Sequence, residues 1–130
     1  LLPAFREMHV ANSGRETRPA VTWEMQADWC RQGRGLVVAA WRRHTPVAFS
    51  YWIIYKRHAY YASSTAVDRG VMHACVWRAM LALKARGVRR LEMGWLDHDQ
   101  SEKGLGIAIF KRGFGGTAAP LAATERQLEG

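Results

Sequence analysis

LVVAAW (residues 36–41), VAFSYWIIY (47–55) and AYYASST (59–65) are the three runs of sequence that decide the fold. Each run is rich in β-branched or aromatic residues, which favour an extended chain. The segments between them, residues 42–46 and 56–58, are short and mostly basic, as turns between neighbouring strands often are. We therefore expect three strands that form an antiparallel meander.

Helical patterns flank this meander on both sides in the chain. Upstream, residues 4–12 carry apolar side chains at helical spacing and stop at Gly14, and a second helix is expected between Pro19 and Gly33. Downstream, residues 71–86 form the longest apolar-rich helical segment, and Gly87 ends it. We expect Trp77 and Met80 of this helix to lie in the core, because the helix has few polar positions to turn toward water.

Residues 88–95 alternate between apolar and charged side chains and are expected to form a further strand. A strand, a helix and another strand in that order predict a crossover that places the new strand parallel to residues 59–65. A short helix over residues 105–111 and a last extended segment from Phe114 complete the predicted order. The expected fold class is α/β with a mixed sheet.

Composition limits the possible functions. The chain has 130 residues, of which 48% are apolar, so it can form one core and one domain. Its net charge of +8 suits a phosphate-bearing ligand, a nucleic acid or an anionic membrane surface. Cys30 and Cys75 are too few and too far apart for a disulfide framework or a zinc site, and we expect both to be reduced, buried thiols.

No apolar stretch reaches the ~18 residues that a membrane span requires, and charged residues interrupt the first twenty positions. We therefore expect a cytoplasmic protein without a transmembrane segment. The chain begins with Leu1 rather than Met, and we expect it to be one domain of a longer protein.

Beyond the order of elements, residues 103–116, KGLGIAIFKRGFGG, are the most distinctive motif, together with Trp77 and the segment 91–94, LEMG. The element order resembles the GCN5-related N-acetyltransferase (GNAT) fold without its first strand. The motif resembles the C-terminal half of Fem-type aminoacyltransferases, which build peptidoglycan bridges, and of BioF2-like acetyltransferases. This resemblance spans residues 5–120 and implies a GNAT-like acyltransferase domain, with a second such domain elsewhere in the parent chain.

The resemblance implies a cleft where the strand ending near Ser64 and the strand ending near Gly94 separate. In acetyltransferases of this fold, the pyrophosphate of coenzyme A rests on a glycine-rich loop before the following helix. Here that loop would be residues 67–72, with Arg69 and Gly70 as the cofactor-binding residues. It has one glycine where the usual signature has two, and Asp68 adds negative charge, so Asp68 and Gly70 could instead simply cap the helix.

Three residues are candidates for catalysis. By the resemblance, the ammonium group of Lys111 would offset charge on a donor phosphate or on the oxyanion that forms during attack. His73, at the start of the long helix, could be a general base, because the helix dipole favours its neutral form. Asp97, which follows the second separated strand, could orient or deprotonate the amine. Each could equally be an ordinary surface residue.

A second group of residues could bind the substrate. Tyr61, Ser63 and Ser64 end the third strand and could present hydroxyl groups, although the adjacent Tyr60 and Tyr61 must face opposite sides of the sheet. Phe110 could stack on adenine or on the acyl group, or it could be a core residue. The remaining candidates for substrate binding follow the second separated strand: His98 and Lys103.

Two functions fit these features. The first is an acyl or aminoacyl transferase that moves an acyl group from acyl-CoA or aminoacyl-tRNA, used as a co-substrate, to an amine such as a cell-envelope precursor. The second is a non-catalytic domain of the same fold that binds RNA or phosphate-rich ligands. The second hypothesis rests on six basic residues, with no acid among them, in the segment 31–57: Arg31, Arg34, Arg42, Arg43, Lys56 and Arg57. The sequence contains no motif for a tightly bound cofactor, a metal or a covalent nucleophile.

Overall fold

A computed structural model describes residues 1–16, 18–67 and 69–94. The elements follow in the order α1 (Leu2–Ser13), α2 (Ala20–Arg31), β1 (Gly35–Arg42), β2 (Thr45–Tyr55), β3 (His58–Ala66), α3 (Arg69–Ala85) and β4 (Arg90–Glu92). Gly14 and Gly87 have φ angles of 73° and 90°, which glycine adopts without strain, and they follow the ends of α1 and α3 as expected. Pro19 lies one residue before α2 rather than inside its first turn.

The three runs of sequence form the predicted meander. β1 pairs with β2 and β2 with β3, both antiparallel, through two-residue turns. The first residue of each turn, Arg43 and Lys56, has a positive φ of 58° and 55°, which matches the twist that a tight hairpin requires. β4 then pairs in parallel with β3, so the sheet has the order β1-β2-β3-β4. The expected mixed sheet is confirmed, although β4 covers only three residues of the predicted segment 88–95.

Helices cover both faces of the sheet. α1 and α2 pack on one face, where Phe5 and Trp23 join Phe49 and Tyr51 in a buried aromatic cluster. α3 packs on the other face, against β1 and β2. The residues that α3 buries recur at helical spacing: Met72, Cys75, Val76, Ala79 and Leu83.

The prediction that Trp77 lies in the core is wrong, because 56% of its surface is exposed. Two small residues of α3, Cys75 and Ala79, face the sheet. Trp77 is two positions after Cys75, which is about half a turn of helix, so its side chain points away from the sheet. Met80 is half-buried and lines a groove of about 580 Å³ beside Trp77 and Leu91. Cys75 is buried as expected, whereas Cys30 is only half-buried, and both are free thiols.

The sheet has two ends, which we name by position. The cleft end is where β3 ends and α3 begins, and the basal end is where β3 and β4 begin. Because β1 and β2 are antiparallel neighbours, the turn between them lies at the cleft end, and the turn between β2 and β3 lies at the basal end.

Candidate functional site

β3 and β4 are paired in parallel over only three residues, and β4 ends at Glu92. Their pairing covers His58 with Arg90, Ala59 with Leu91 and Tyr60 with Glu92, and β3 then continues alone to Ala66. Within the described residues, the edge of β3 that faces away from β2 therefore has no strand beside it from Tyr61 onward. We call this unpaired stretch of the β3 edge the opening; it lies where the resemblance implies a cleft beside the third strand.

Main-chain groups of two residues face this opening. The N–H of Val67 donates to the carbonyl oxygen of Val47 at 2.9 Å, so Val67 is directed toward β2. Because the N–H and C=O groups of successive residues in a strand point to opposite sides, those of Ala66 and Ser64 are directed away from β2. Main-chain polar groups of this kind need partners, and the amides of an extended ligand can supply them.

Asn12, near the end of α1, forms a hydrogen bond with one of these main-chain groups. Its Nδ2 donates to the carbonyl oxygen of Ala66 at 2.8 Å and to Oγ1 of Thr65 at 2.6 Å. This side chain fixes the end of β3 against α1 and leaves the main chain of Ser64 directed into the opening. Helical spacing alone did not single out Asn12 as a functional residue, since its partners are more than fifty positions away.

A β-bulge determines which hydroxyl groups meet. Tyr51 pairs with Ser63 and Trp52 with Tyr61, so Ala62 is an extra residue in β3. Tyr61 and Ser64 are consequently on the same face of the sheet, under α3, and their hydroxyl groups form a hydrogen bond. Ser63 lies on the opposite face, with its Oγ buried and unpaired among the described residues. The three predicted substrate-binding hydroxyls therefore do not form one group.

A buried polar network surrounds the Tyr61–Ser64 pair. The indole Nε1 of Trp52 donates to Oγ of Ser50 at 3.0 Å, and the Trp52 ring packs 5.0 Å from the ring of Tyr61. The thiol of Cys75 donates to the carbonyl oxygen of Val38 at 3.3 Å. Neither Ser50 nor Trp52 was predicted as part of a site, because both lie in a run that reads simply as buried strand.

The network holds its titratable groups neutral. Burial raises the pKa of the Tyr61 hydroxyl, although its hydrogen bond with Ser64 opposes the shift. Burial also raises the pKa of the Cys75 thiol, which is only 2% exposed. A protonated, inaccessible thiol is a poor nucleophile, so this arrangement supports positioning of a ligand rather than covalent catalysis by Cys75.

The N-terminus of α3 lies at the cleft end. The resemblance implied that Arg69 and Gly70 lie in a loop before the helix, but α3 begins at Arg69 and includes both residues. Gly70 is exposed, and so is His73, which occupies the fifth position of the helix. Free N–H groups at a helix start, together with the helix dipole, favour an anion, and this end of α3 adjoins the opening beside β3.

The connection between α1 and α2 also lies at the cleft end. Nη1 of Arg18 donates to Nε2 of His9 at 2.8 Å, and Nε1 of Trp23 donates to Glu16 at 3.2 Å. Burial lowers the pKa of the His9 imidazole, and the charge of Arg18 lowers it further, while Glu16 raises it. These contacts tie the connection to the aromatic cluster and hold His9 neutral at physiological pH.

The basic residues of the two hairpin turns do not form one patch. Arg42 and Arg43 lie at the cleft end, whereas Lys56 and Arg57 lie at the basal end, roughly 30 Å away along β2. Five of the predicted site residues lie outside the described residues and stay predictions: Asp97, His98, Lys103, Phe110 and Lys111. Within residues 1–16, 18–67 and 69–94, no helix is long and apolar enough to cross a membrane, and no cluster of three metal-ligating side chains occurs.

No protein-family model matches the sequence, and no curated protein is significantly similar to it. Solved structures nevertheless share its fold. A putative acetyltransferase from Agrobacterium tumefaciens str. C58 superposes with a TM-score of 0.72 at 16% identity, covering 97% of this chain and 93% of that one.

Two aminoglycoside acetyltransferases are similar to the same extent. One, meta-AAC0020 from an uncultured soil metagenomic sample, was solved with sisomicin and has a TM-score of 0.72 at 12% identity, covering 98% of this chain and 90% of that one. The other, AAC(6')-Iy, was solved with a bisubstrate analogue that joins CoA to acetylneamine; it has a TM-score of 0.71 at 12% identity, covering 98% of this chain and 91% of that one. The chain therefore has the GNAT-type fold that the order of its elements predicted.

Proposed function

We propose that this chain is an N-acyltransferase that moves an acyl group from a CoA thioester to an amine. The observation that carries the proposal is the edge of β3 that is unpaired toward the cleft end among the described residues, with the main chain of Ser64 directed into the opening. An extended chain of amides, such as the pantetheine arm of CoA, would pair with those main-chain groups. The N-terminus of α3 would then receive the pyrophosphate.

The neighbours in structure support this assignment. AAC(6')-Iy was solved with an analogue that contains CoA, and the cleft end of this chain offers a place for the same kind of donor. The acceptor would be a small molecule with a primary amine. Catalysis would rest mainly on positioning. The amine would be held against the thioester carbonyl, so that its attack becomes effectively unimolecular.

The chemistry needs a base and a group that stabilises the oxyanion. His73 and Asp97 are the candidate bases. Lys111 is the candidate for the group that stabilises the oxyanion. We expect Lys111→Ala to lower turnover by roughly 10²–10³-fold, the loss typical of removing one stabilising group from a preorganised site. Arg112→Ala is the matched control, since it removes the same charge from the neighbouring position. Equal losses in both variants would assign the effect to the overall basic charge instead.

The donor assignment is tested by a pair of substitutions at Gly70. Gly70→Glu places a carboxylate near the N-terminus of α3, where it would repel a bound pyrophosphate. The same change should make the protein more stable, because glutamate suits the first turn of a helix better than glycine does. Gly70→Gln is the neutral control. We expect Gly70→Glu to weaken acetyl-CoA binding at least tenfold in isothermal titration calorimetry, relative to Gly70→Gln.

Activity is measured by release of the free CoA thiol from acetyl-CoA in the presence of spermidine, neamine or an N-terminal alanine peptide. Mass spectrometry would identify an acceptor heavier by one acetyl group. Release of CoA that depends on the amine supports the proposal. An absence of both CoA release and acetyl-CoA binding would contradict it.

Transfer of an aminoacyl group from aminoacyl-tRNA is the second candidate. It is favoured by the resemblance of residues 103–116 to the Fem-type motif, and it would suit a cell-envelope precursor as acceptor. Incubation with a charged tRNA and an amine separates the candidates, because only this reaction would transfer a labelled amino acid.

A further inference from the structure

The basal end of the sheet collects cations from separate parts of the chain. Six exposed basic residues lie there, and we call them the basal cations: Arg34, Lys56, Arg57, Arg86, Arg89 and Arg90. They come from the start of β1, the β2–β3 turn, the segment after α3 and the start of β4. The basal end is the opposite end of the sheet from the proposed acyl-transfer cleft.

Main-chain contacts bring these residues together. The carbonyl oxygen of Arg57 accepts hydrogen bonds from the N–H groups of Arg89, at 2.8 Å, and Arg90, at 3.2 Å. The carbonyl oxygen of Arg34 accepts one from Ile54 at 2.8 Å, which places Arg34 beside the end of β2. Arg86 is close enough to Cys30 for its charge to lower the pKa of that thiol, opposing the larger effect of burial.

Within residues 1–16, 18–67 and 69–94, no basal cation forms an ion pair. Neither of the ion pairs among the described residues, Arg6 with Glu16 and Arg31 with Asp28, includes one of them. The sequence has no acidic residue from position 69 to position 91 or from position 31 to position 67. The acids nearest to this end within residues 1–16, 18–67 and 69–94 are Asp28, which Arg31 already pairs, and Glu92 farther along β4. A cluster of six cations that forms no ion pair within the described part of the chain favours a polyanionic partner.

An aromatic side chain accompanies the cations. Tyr55, at the end of β2, is 69% exposed, and Nζ of Lys56 lies 5.3 Å from the centre of its ring. Exposed aromatic rings among cations are typical of surfaces that bind single-stranded nucleic acids, in which bases stack while phosphates pair with arginine. An anionic lipid surface would use the charges but would gain no stacking on Tyr55.

We propose that the basal end is a binding surface for single-stranded nucleic acid, in which the basal cations contact the phosphates and Tyr55 stacks on a base. Arginine makes up most of the set, and its planar guanidinium group can bind phosphate through two parallel hydrogen bonds. The surface is separate from the cleft, so the chain could hold a nucleic acid and an acyl donor at the same time.

Binding is measured with the whole 130-residue chain and a fluorescein-labelled 12-nucleotide RNA without secondary structure, by fluorescence anisotropy. If about five phosphates are contacted, raising the salt from 50 to 200 mM should weaken binding roughly 100-fold. Arg57→Gln combined with Arg89→Gln should weaken binding at 50 mM salt by roughly tenfold and make the salt dependence shallower. The matched control combines Arg15→Gln with Arg78→Gln, which removes the same charge from exposed positions away from the basal end.

Tyr55→Leu separates nucleic acid from other polyanions. It should weaken RNA binding by roughly fivefold or more and leave the binding of inorganic polyphosphate unchanged. Circular dichroism confirms that each variant is folded. The proposal is overturned if the control pair weakens RNA binding as much as the basal pair does, or if Tyr55→Leu has no effect on RNA. It is also overturned if vesicles of 30% phosphatidylserine in phosphatidylcholine bind the chain while the RNA does not.

Discussion

Replacing Trp52 and Trp77 by alanine, one at a time, tests the packing of α3 on the sheet with two identical side chains. Trp52 is fully buried, donates a hydrogen bond to Ser50 and packs on Tyr61, whereas 56% of Trp77 is exposed. We expect Trp52→Ala to lower the free energy of unfolding by about 3–5 kcal/mol, the usual cost of removing a large aromatic side chain from a core.

The expected cost for Trp77 follows from its exposure. Less than half of its surface is buried, and at about 25 cal/mol per Å² this corresponds to roughly 2 kcal/mol once the part of that burial that persists in the unfolded chain is subtracted. Alanine recovers about 0.5 kcal/mol of that through its higher helix propensity. The net loss should therefore be about 1–1.5 kcal/mol, well below the loss for Trp52.

The assay is urea unfolding followed by far-UV circular dichroism, because the removal of a tryptophan would itself change the fluorescence. A difference of about 2 kcal/mol between the variants corresponds to a shift of roughly 1 M in the midpoint. If Trp52→Ala does not fold, Trp52→Phe keeps most of the packing and loses only the hydrogen bond, at a cost of about 1–2 kcal/mol. Equal losses for the two alanine variants, or a larger loss for Trp77, would refute the assignment of the buried face of α3.

Three further predictions concern contacts at the sheet. Gly35→Ala should lower the free energy of unfolding by about 1–3 kcal/mol in urea titration, because a Cβ atom would lie 2.8 Å from the Tyr51 hydroxyl. Adding Tyr51→Phe should recover part of that loss, and a purely additive result would contradict the steric explanation. The free energy of unfolding should fall as the pH rises above about 9, because burial raises the pKa of Cys75 from 9.0 and the unfolded chain therefore releases the thiol proton first. Cys75→Ala should flatten this slope by up to ~1.4 kcal/mol per pH unit. An unchanged slope would argue against a buried neutral thiol. Asn12→Ala should cost about 1–2 kcal/mol through its two hydrogen bonds, and hydrogen exchange should show faster opening around Ala66.

The sequence predicted the elements well because their signals are local. Each of the three strand runs is bounded by a turn only a few residues long, and hairpin pairing follows from such spacing. Gly14 and Gly87 mark helix ends because glycine adopts positive φ angles easily. The parallel pairing of β4 with β3 also follows from the order of the elements, since a helical crossover returns the chain in the same direction.

The details of the candidate site depend on contacts between distant residues. Regular alternation along β3 would place Tyr61 on the same face as Ser63, but the bulge at Ala62 places it on the same face as Ser64 instead. A bulge depends on how two strands fit against the helices that cover them, and no local pattern in β3 marks it. Asn12 and Ser50 were missed for the same reason, because their partners are far away in the sequence.

What the sequence determined by itself is therefore the type and order of the elements, the antiparallel meander and the strong positive charge. Only the tertiary structure decided which side of α3 faces the sheet, which hydroxyl groups meet and at which end of the sheet each basic turn lies. The physical reason is that periodicity and turn chemistry act within a few residues, whereas side-chain neighbours are selected by packing across the whole core. The small residues of α3 could approach the sheet closely, and that contact turned Trp77 outward.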